Sequence, residues 1–582
     1  MCKLTKMKSI NTGLLFFSAI AMVFTTGCNP LNKMNKKHGT VKYTLNPDPL
    51  EMHGDSVAFS VSGRYPEKFF NKKAVANVKP VMKDAETGNV VKEFEALKLI
   101  GESAEGEGIK MGWGGGSFNI EKTIPFNDNM ANVVLEVQVE AGYKTKTKTF
   151  DPVPIGVGTI TTPLWVQSDE MPILGKDNFT KVSPRSVSAE INYLIQSSVV
   201  QPKELKQEDI MGLDAFLEKG ITYEYDYKSI TITSFASPDG ETALNDNLAG
   251  DRANSASKAV MKMFKKKKVE AGQNEELYKK MPQGEDWNGF KQKMEASDIA
   301  DKDMILRILG MYNDDKKREE EIKNLAATYE VIAEEILPQL RRSVISIKAE
   351  EKAKTDEELM QITKDNPSEL TIEEILYTAT LYNDLNKKLE VYMTATSVHP
   401  DDWRGHNNVG YIMILQNKVA DAKPHIEMAA KKDPSSKVVK NNMGVVTRLM
   451  GDAEKAMTYY EGAKGAGAEV NYNIGILNIM DGNYSDAVSN MGAMNTFNSS
   501  LAKLLNGETG GAMSTLEASD AKATAAGSYL KAVISARTAD NDGVVNNLQA
   551  AFAKDASLKA KAKTDMEFYK LRELPAFMAI TQ

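Results

Sequence analysis

His406–Gly410 reads HNNVG and Lys440–Gly444 reads KNNMG, so an Asn-Asn-Xaa-Gly stretch returns after 34 residues. A third glycine, Gly475 at the end of YNIG (Tyr472–Gly475), follows 31 residues later. A repeat of this length is one supersecondary unit that cannot bury its apolar face alone, so copies must stack. Counting on from Gly410, small and large residues fall at fixed offsets: Ala422, Ile426 and Ala429, then Pro434. Counting on from Gly444 gives Ala456, Tyr460 and Ala463. Small residues let two antiparallel helices approach closely, and the large residue fills the groove between neighbouring pairs.

This is the spacing of the tetratricopeptide repeat. Residues 365–582 are therefore expected to form an all-α tetratricopeptide solenoid, continued more loosely by Ala487 and Ala512 and capped by a degenerate pair around 532–551. Such stacks offer a concave face to a peptide or protein. The candidate partner-binding residues on first helices are Asn407, Asn408, Asn441, Asn442 and Asn471. An asparagine amide has two donors and an acceptor, which suits it to grip an extended backbone.

Outward from the repeats, the middle of the chain alternates strand and helix patterns. SAEINYLIQS (188–197) and KSITITSF (228–235) read as strands, and residues 203–219 and 243–265 have helical spacing. Strand, helix, strand, helix outlines an α/β sandwich. A charged helical stretch, about 265–338, interrupts it before Val344–Lys348 returns as the last strand. Lys265–Lys268 (KKKK) suits a solvated helix end, where the macrodipole favours cations, or a contact with an anionic surface. Arg341 and Arg342 suit either ion pairs within the fold or ligand-facing charge.

NYLIQSSVVQPKELKQEDIMGLDAFL, ITITSFASPDG and NDNLAGDRANSASKAV together resemble the OmpA-like peptidoglycan-binding domain, over residues 178–350 with the helical insertion included. The resemblance implies a site for the diaminopimelate group of the peptide stem, which carries an ammonium and a carboxylate on one carbon. Arg252 falls on the family's carboxylate-binding arginine, Asn245 on its asparagine, and Leu248 on the leucine that packs the helix against the sheet. The family's acid is replaced here by Ser237, with Pro238 next and Asp239 two residues on. A serine accepts a hydrogen bond from an ammonium but does not neutralise it, a loss of roughly 1.5 to 3 kcal/mol. Asp239 either supplies the missing charge or serves the turn, where Asp, Pro and Gly belong for backbone reasons.

Residues 40–165 show short alternating runs such as TVKYTL, SVAFSVSG and VVLEVQVEAG, the pattern of an all-β sandwich. GWGGGS (112–117) lacks the Lys-Ser/Thr of a phosphate loop and reads as a hairpin bearing Trp113. NPDPLEMHGDSVAFSVSGRYPEKFFNKKA and EKTIPFNDNMANVVLEV resemble the N-terminal β-domain of periplasmic OmpA-domain proteins from Bacteroidetes.

At the N-terminus, three lysines precede an apolar run and then Thr-Thr-Gly-Cys. That is a secretory signal too short to span a bilayer. Its ending resembles a bacterial lipoprotein signal, which makes residues 1–27 the signal peptide, Cys28 the lipidated residue and 28–39 a tether, although Thr25 departs from the usual aliphatic residue. Cleavage would take the formal charge from −7 to −10, against a globally basic nucleic-acid binder. No acidic cluster follows Cys28, so by the same resemblance the protein is expected on the periplasmic side of the outer membrane, held by its lipid.

Five histidines and one mature cysteine leave little for catalysis. His399, His406 and His425 have no metal-like partners, and no nucleophile elbow, HExxH or P-loop is present. No cofactor, metal or enzymatic activity is expected. Two functions fit: a scaffold that contacts peptidoglycan and recruits a protein through its repeats, or an accessory subunit of an envelope secretion or outer-membrane assembly complex whose OmpA-like domain has lost peptidoglycan.

Overall fold

In Ser56–Tyr65 every second side chain is buried, so this strand presents one apolar face and seeds a sheet. It pairs antiparallel with Lys42–Asn46 and Gly116–Pro125. A second sheet is built on the antiparallel pair Ala74–Asp84 and Val133–Tyr143. Val57, Phe59 and Val61 of the first sheet share one core with Ala76, Val78, Leu135 and Val137 of the second. The structure, a computed structural model, describes residues 30–582 apart from Gly240. Residues 1–27, read from sequence as a signal peptide, and Cys28 lie outside the described residues. The segment read as a tether is folded from Pro30 onward: Pro30–Lys37 is a helix, and Leu31 and Met34, one turn apart, enter the β core. Trp113 is exposed at the turn closed by the Gly112–Gly115 bridge.

The described residues fall into two compact units, one reaching Gly175 and completed by His406–Gln582, the other Lys176–Gly405. The β-rich region and the C-terminal helices thus fold together, and the α/β region forms the second unit with the helices Asp356–Asp365, Ile372–Thr380 and Leu385–Val398. The last of these helices fall within the span assigned by sequence to the repeat domain.

In the α/β unit, a four-stranded sheet runs Val182–Asn192, Arg342–Lys352, Asp226–Ala236, Tyr278–Glu285. The Arg342–Lys352 strand is antiparallel to both neighbours, and Tyr278–Glu285 is parallel to Asp226–Ala236. Helices Glu208–Thr222 and Thr242–Lys266 pack on the sheet through Ile210, Leu213 and Leu217 and through Ala253, Ala256, Val260 and Phe264. Leu248 is only half-buried; the alanines, not the leucine, let this helix approach the sheet. The insertion differs from the sequence expectation because Tyr278–Glu285 is a strand, and the helices occupy 287–340. YKKMPQGE is mostly exposed and carries lysines and a proline, as edge strands do, so it lacks the alternation that marks a half-buried strand. The insertion helices have their own apolar cluster around Phe290, Ile305, Ile332 and Leu340.

The repeats pair as the spacing requires. Helices Trp403–Leu415 and Val419–Lys432, Lys437–Leu449 and Ala453–Ala463, and Ala468–Met480 and Tyr484–Met491 are successive hairpins. A side chain at Gly410 would strike Ile426, one at Gly444 would strike Tyr460, and one at Gly475 would strike Met491. Those collisions explain why glycine is used at each. Beyond the expected cap, formed by Ala525–Arg537 and Asn541–Lys554, two further helices follow, Leu558–Thr564 and Pro575–Thr581, with Phe568 and Phe577 buried among them. No helix among the described residues is long and apolar enough to cross a membrane.

Candidate functional site

Asn407 and Asn408 lie on Trp403–Leu415, Asn441 and Asn442 on Lys437–Leu449, and all four are fully buried. What buries them is the chain's own segment 165–175, which crosses the inner helices of the repeats without secondary structure of its own beyond Trp165. Asn442 accepts from the amide of Ile173 at 2.7 Å and donates to its carbonyl at 2.8 Å. Asn408 clamps Gly175 in the same two-bonded way, at 2.7 and 2.8 Å. Asn407 and Asn441 support the clamps from the side, donating to the carbonyls of Ile173 and Met171.

Asn471 is exposed and takes no part. The residue that clamps Met171 is Asn473, at 2.8 and 3.0 Å, and Asn498 does the same for Gln167. The correction has a simple register. Asn408, Asn442 and Asn473 each stand two residues before the glycine of their repeat, and Asn498 stands two before Ser500, which takes the small position. Asn471 is two residues before Asn473, about 200° round the helix from it, and so faces the opposite side. The amides also bond to one another, Asn473 to Asn441, Asn441 to Asn442, Asn442 to Asn407 and Asn407 to Asn408.

The strap is in extended register, since the backbone of alternate residues Met171, Ile173 and Gly175 meets the same side. At Asp169 the side chain takes over, accepting from Tyr472 Oη at 2.8 Å and from Asn498. Glu170 is ion-paired with Arg448 at 2.8 Å. Burial pushes both carboxyls above the usual carboxylate range. At the start of the strap Trp165 stacks on Tyr529, ring centres 4.5 Å apart, and the Lys561 ammonium lies 4.3 Å from the centre of the indole. The four clamps read only N–H and C=O groups, each hydrogen bond contributing about 1 kcal/mol net. The strap adds side-chain contacts through Trp165, Ser168, Asp169 and Glu170.

In the α/β unit the four residues assigned to a peptidoglycan site are also close together. Arg252 is 1% exposed. It donates to the carbonyls of Ser197 at 3.0 Å, Phe235 at 2.8 Å and Leu194 at 3.4 Å, and its guanidinium lies over the Tyr193 ring. Burial pushes it down to about 10, a neighbouring Arg341 adding to the effect. Ser237 donates to Asp239, and Arg341 closes the set, reaching Ser237 Oγ at 3.0 Å and Asp239 Oδ2 at 3.1 Å. Asn245 donates to the Ser237 carbonyl and to Glu285. Pro238 packs against insertion residues Trp287, Phe290 and Tyr329 with almost no free volume between them.

Asp239 is therefore brought to the turn, but its charge is met by Arg341 of the same chain. Arg342 is paired too, with Asp286 at 2.9 Å and more distantly with Glu190. In the lysine run, Lys267 pairs with Asp214 and Glu218. Among the described residues no group of three or more His, Cys, Asp or Glu side chains is placed to hold a metal ion. His406 and His425 meet Nδ1 to Nδ1 at 3.3 Å, and burial lowers both.

No family model matches the chain, and no curated protein does. Among solved structures it is similar to a tetratricopeptide repeat protein from Parabacteroides merdae, with 15% identity over 36% of this chain and 91% of that one, TM-score 0.28. It is similar also to YrrB, a TPR protein with an unusual peptide-binding site, with 16% identity over 36% and 99% of the two chains, TM-score 0.21. A third is PilW, a type IV pilus biogenesis factor, with 16% identity over 36% and 99%, TM-score 0.26. In this chain the repeats are defined by their own packing and spacing.

Proposed function

We propose that the protein is a non-enzymatic scaffold, lipid-anchored through Cys28 on the periplasmic side of the outer membrane, and that it serves as an accessory subunit of an envelope secretion or assembly complex. In this reading the α/β unit is an OmpA-like domain kept as a protein-interaction platform. The observation that carries it is the state of the site residues. Arg252 has its donors on three backbone carbonyls, and Asp239 is neutralised by Arg341. A diaminopimelate group would need one free acid and one free base, and both are already engaged. Contact with peptidoglycan is the second reading, favoured by Asn245 and Arg252 standing at the family's spacing.

Sedimentation with isolated sacculi separates the two. The accessory-subunit reading expects the purified chain to stay in the supernatant, like Asp239→Asn. Pelleting that Asp239→Asn abolishes supports the peptidoglycan reading instead. For the anchor, Cys28→Ala is expected to move the protein from the membrane fraction to the soluble one, and unchanged retention refutes lipidation.

A further inference from the structure

Between helices Glu208–Thr222 and Thr242–Lys266, on the side away from the sheet, runs an open groove of about 680 Å³. Ser237, Asp239, Asn245 and Arg252 do not line it, although Ser255 on its wall donates to the Arg252 carbonyl. One wall is apolar and unusually bare for a folded surface: Val199 is 63% exposed, Met211 56% and Leu205 40%. Scattered apolar side chains need no explanation, but three lining one concave groove mark an interaction surface. The opposite wall carries Lys258, Lys262 and Lys266, each exposed, at four-residue spacing on one helix. The groove's one acid, Asp214, is paired with Lys267 at 2.7 Å, so it does not offset the row. Among the described residues the three lysines have no ion-pair partner in the structure.

We infer that this groove docks an acidic amphipathic helix of a partner protein, its apolar stripe against Val199, Leu205 and Met211 and its carboxylates along the lysine row. The spacing decides the occupant. Lys258 to Lys266 spans about 12 Å along the helix axis, with one cation every ~6 Å. A lipid headgroup concentrates its charge at one point and would use one or two of them. A partner helix with acids at i, i+4 and i+8 repeats the same interval and presents apolar residues beside it, the helix-in-groove mode of recognition. The inference rests on the platform reading of this unit and names the chemistry of what the platform holds.

The test uses the full chain and two fluorescent synthetic helices, one with leucines on one face flanked by glutamates at four-residue spacing, the other with lysines replacing the glutamates. Anisotropy is expected to show saturable binding of the glutamate peptide, weakened by salt, and little binding of the lysine peptide. Lys258→Glu with Lys262→Glu is expected to weaken the glutamate peptide at least about tenfold and to gain the lysine peptide. Met211→Asp is expected to weaken both pairings. All these residues are exposed, so unchanged thermal melting verifies folding. Equal binding of both peptides, no saturable binding, or lysine-dependent capture by phosphatidylglycerol vesicles with no peptide binding would each overturn the inference. Sacculus binding that depends on Asp239 would overturn the platform reading separately, whatever the peptides do.

Discussion

The concave face of the repeats and the Ser237–Asp239 turn of the α/β unit are both places where sequence puts recognition chemistry, and in both the chain itself supplies the contacts. They do so in different currencies. The repeats use neutral amides that bind backbone, so every clamp depends on where its asparagine stands and not on what residue the strap presents. The turn uses charge: Arg341 on Asp239, and a buried guanidinium on three carbonyls. A neutral clamp that is lost leaves amides and a backbone group short of one bond each, whereas a buried charge that loses its partners has no inexpensive alternative.

The largest effect is therefore expected in the turn. Arg252→Ala empties the space of a buried guanidinium and removes its bonds to the carbonyls of Ser197 and Phe235, while that of Leu194 keeps the Ser197 amide; it should cost about 3 to 5 kcal/mol, read as an early unfolding of residues 176–405 by hydrogen exchange while the other unit stays protected. An equal loss of protection in both units would break the contrast. Next comes Asn442→Ala, which unpairs the amide of Ile173, leaves its carbonyl with Asn407 alone, and takes one hydrogen bond from each of two neighbouring asparagines. About 2 to 4 kcal/mol is expected, with faster exchange at residues 171–175.

A third difference is pH. Burial holds His406 and His425 below their ordinary value, so unfolding takes up protons between that lowered value and about 6.5. Stability of the repeat unit should fall as the pH drops through the ordinary histidine range and recover above it. Replacing His425 by Gln should flatten that slope in melting temperatures measured across the range. The smallest effect is the sharpest control of register: Asn471→Ala, on an exposed position, should stay within about 0.5 kcal/mol of wild type. A cost like that of Asn442→Ala would mean the clamps are not set by distance from the glycine.

Much of this fold could be read from the residues because it is governed by period. Gly410, Gly444 and Gly475 announce close helix contacts, and alternation in Ser56–Tyr65 announces a half-buried strand. Tyr278–Glu285 could not be read, since an edge strand with exposed lysines has no apolar face to display. At the site, Asn407, Asn408, Asn441 and Asn442 were legible as backbone-binding amides from their recurrence. Asn473 and Asn498 were recoverable from the two-residue offset, which needs the third and fourth repeats to be aligned on Gly475 and Ser500. The occupant was not legible. Residues 166–175 form neither helix nor strand, and a backbone ligand leaves no side-chain signature. Arg341 was also out of reach as Asp239's partner, because 102 residues and a helical insertion separate them.

The clamps join residues 233 positions apart at Gly175–Asn408 and 331 apart at Gln167–Asn498. At about 5 to 20 residues per second of synthesis, the strap exists for roughly ten seconds or more before the helix that receives it has been made. Asn408 emerges before Asn442, Asn473 and Asn498, so the strap's last residues find their partners first and docking proceeds from Gly175 backwards toward Gln167. Until then MPIL (Met171–Leu174) is an unpaired apolar stretch, open to association with other unfolded chains.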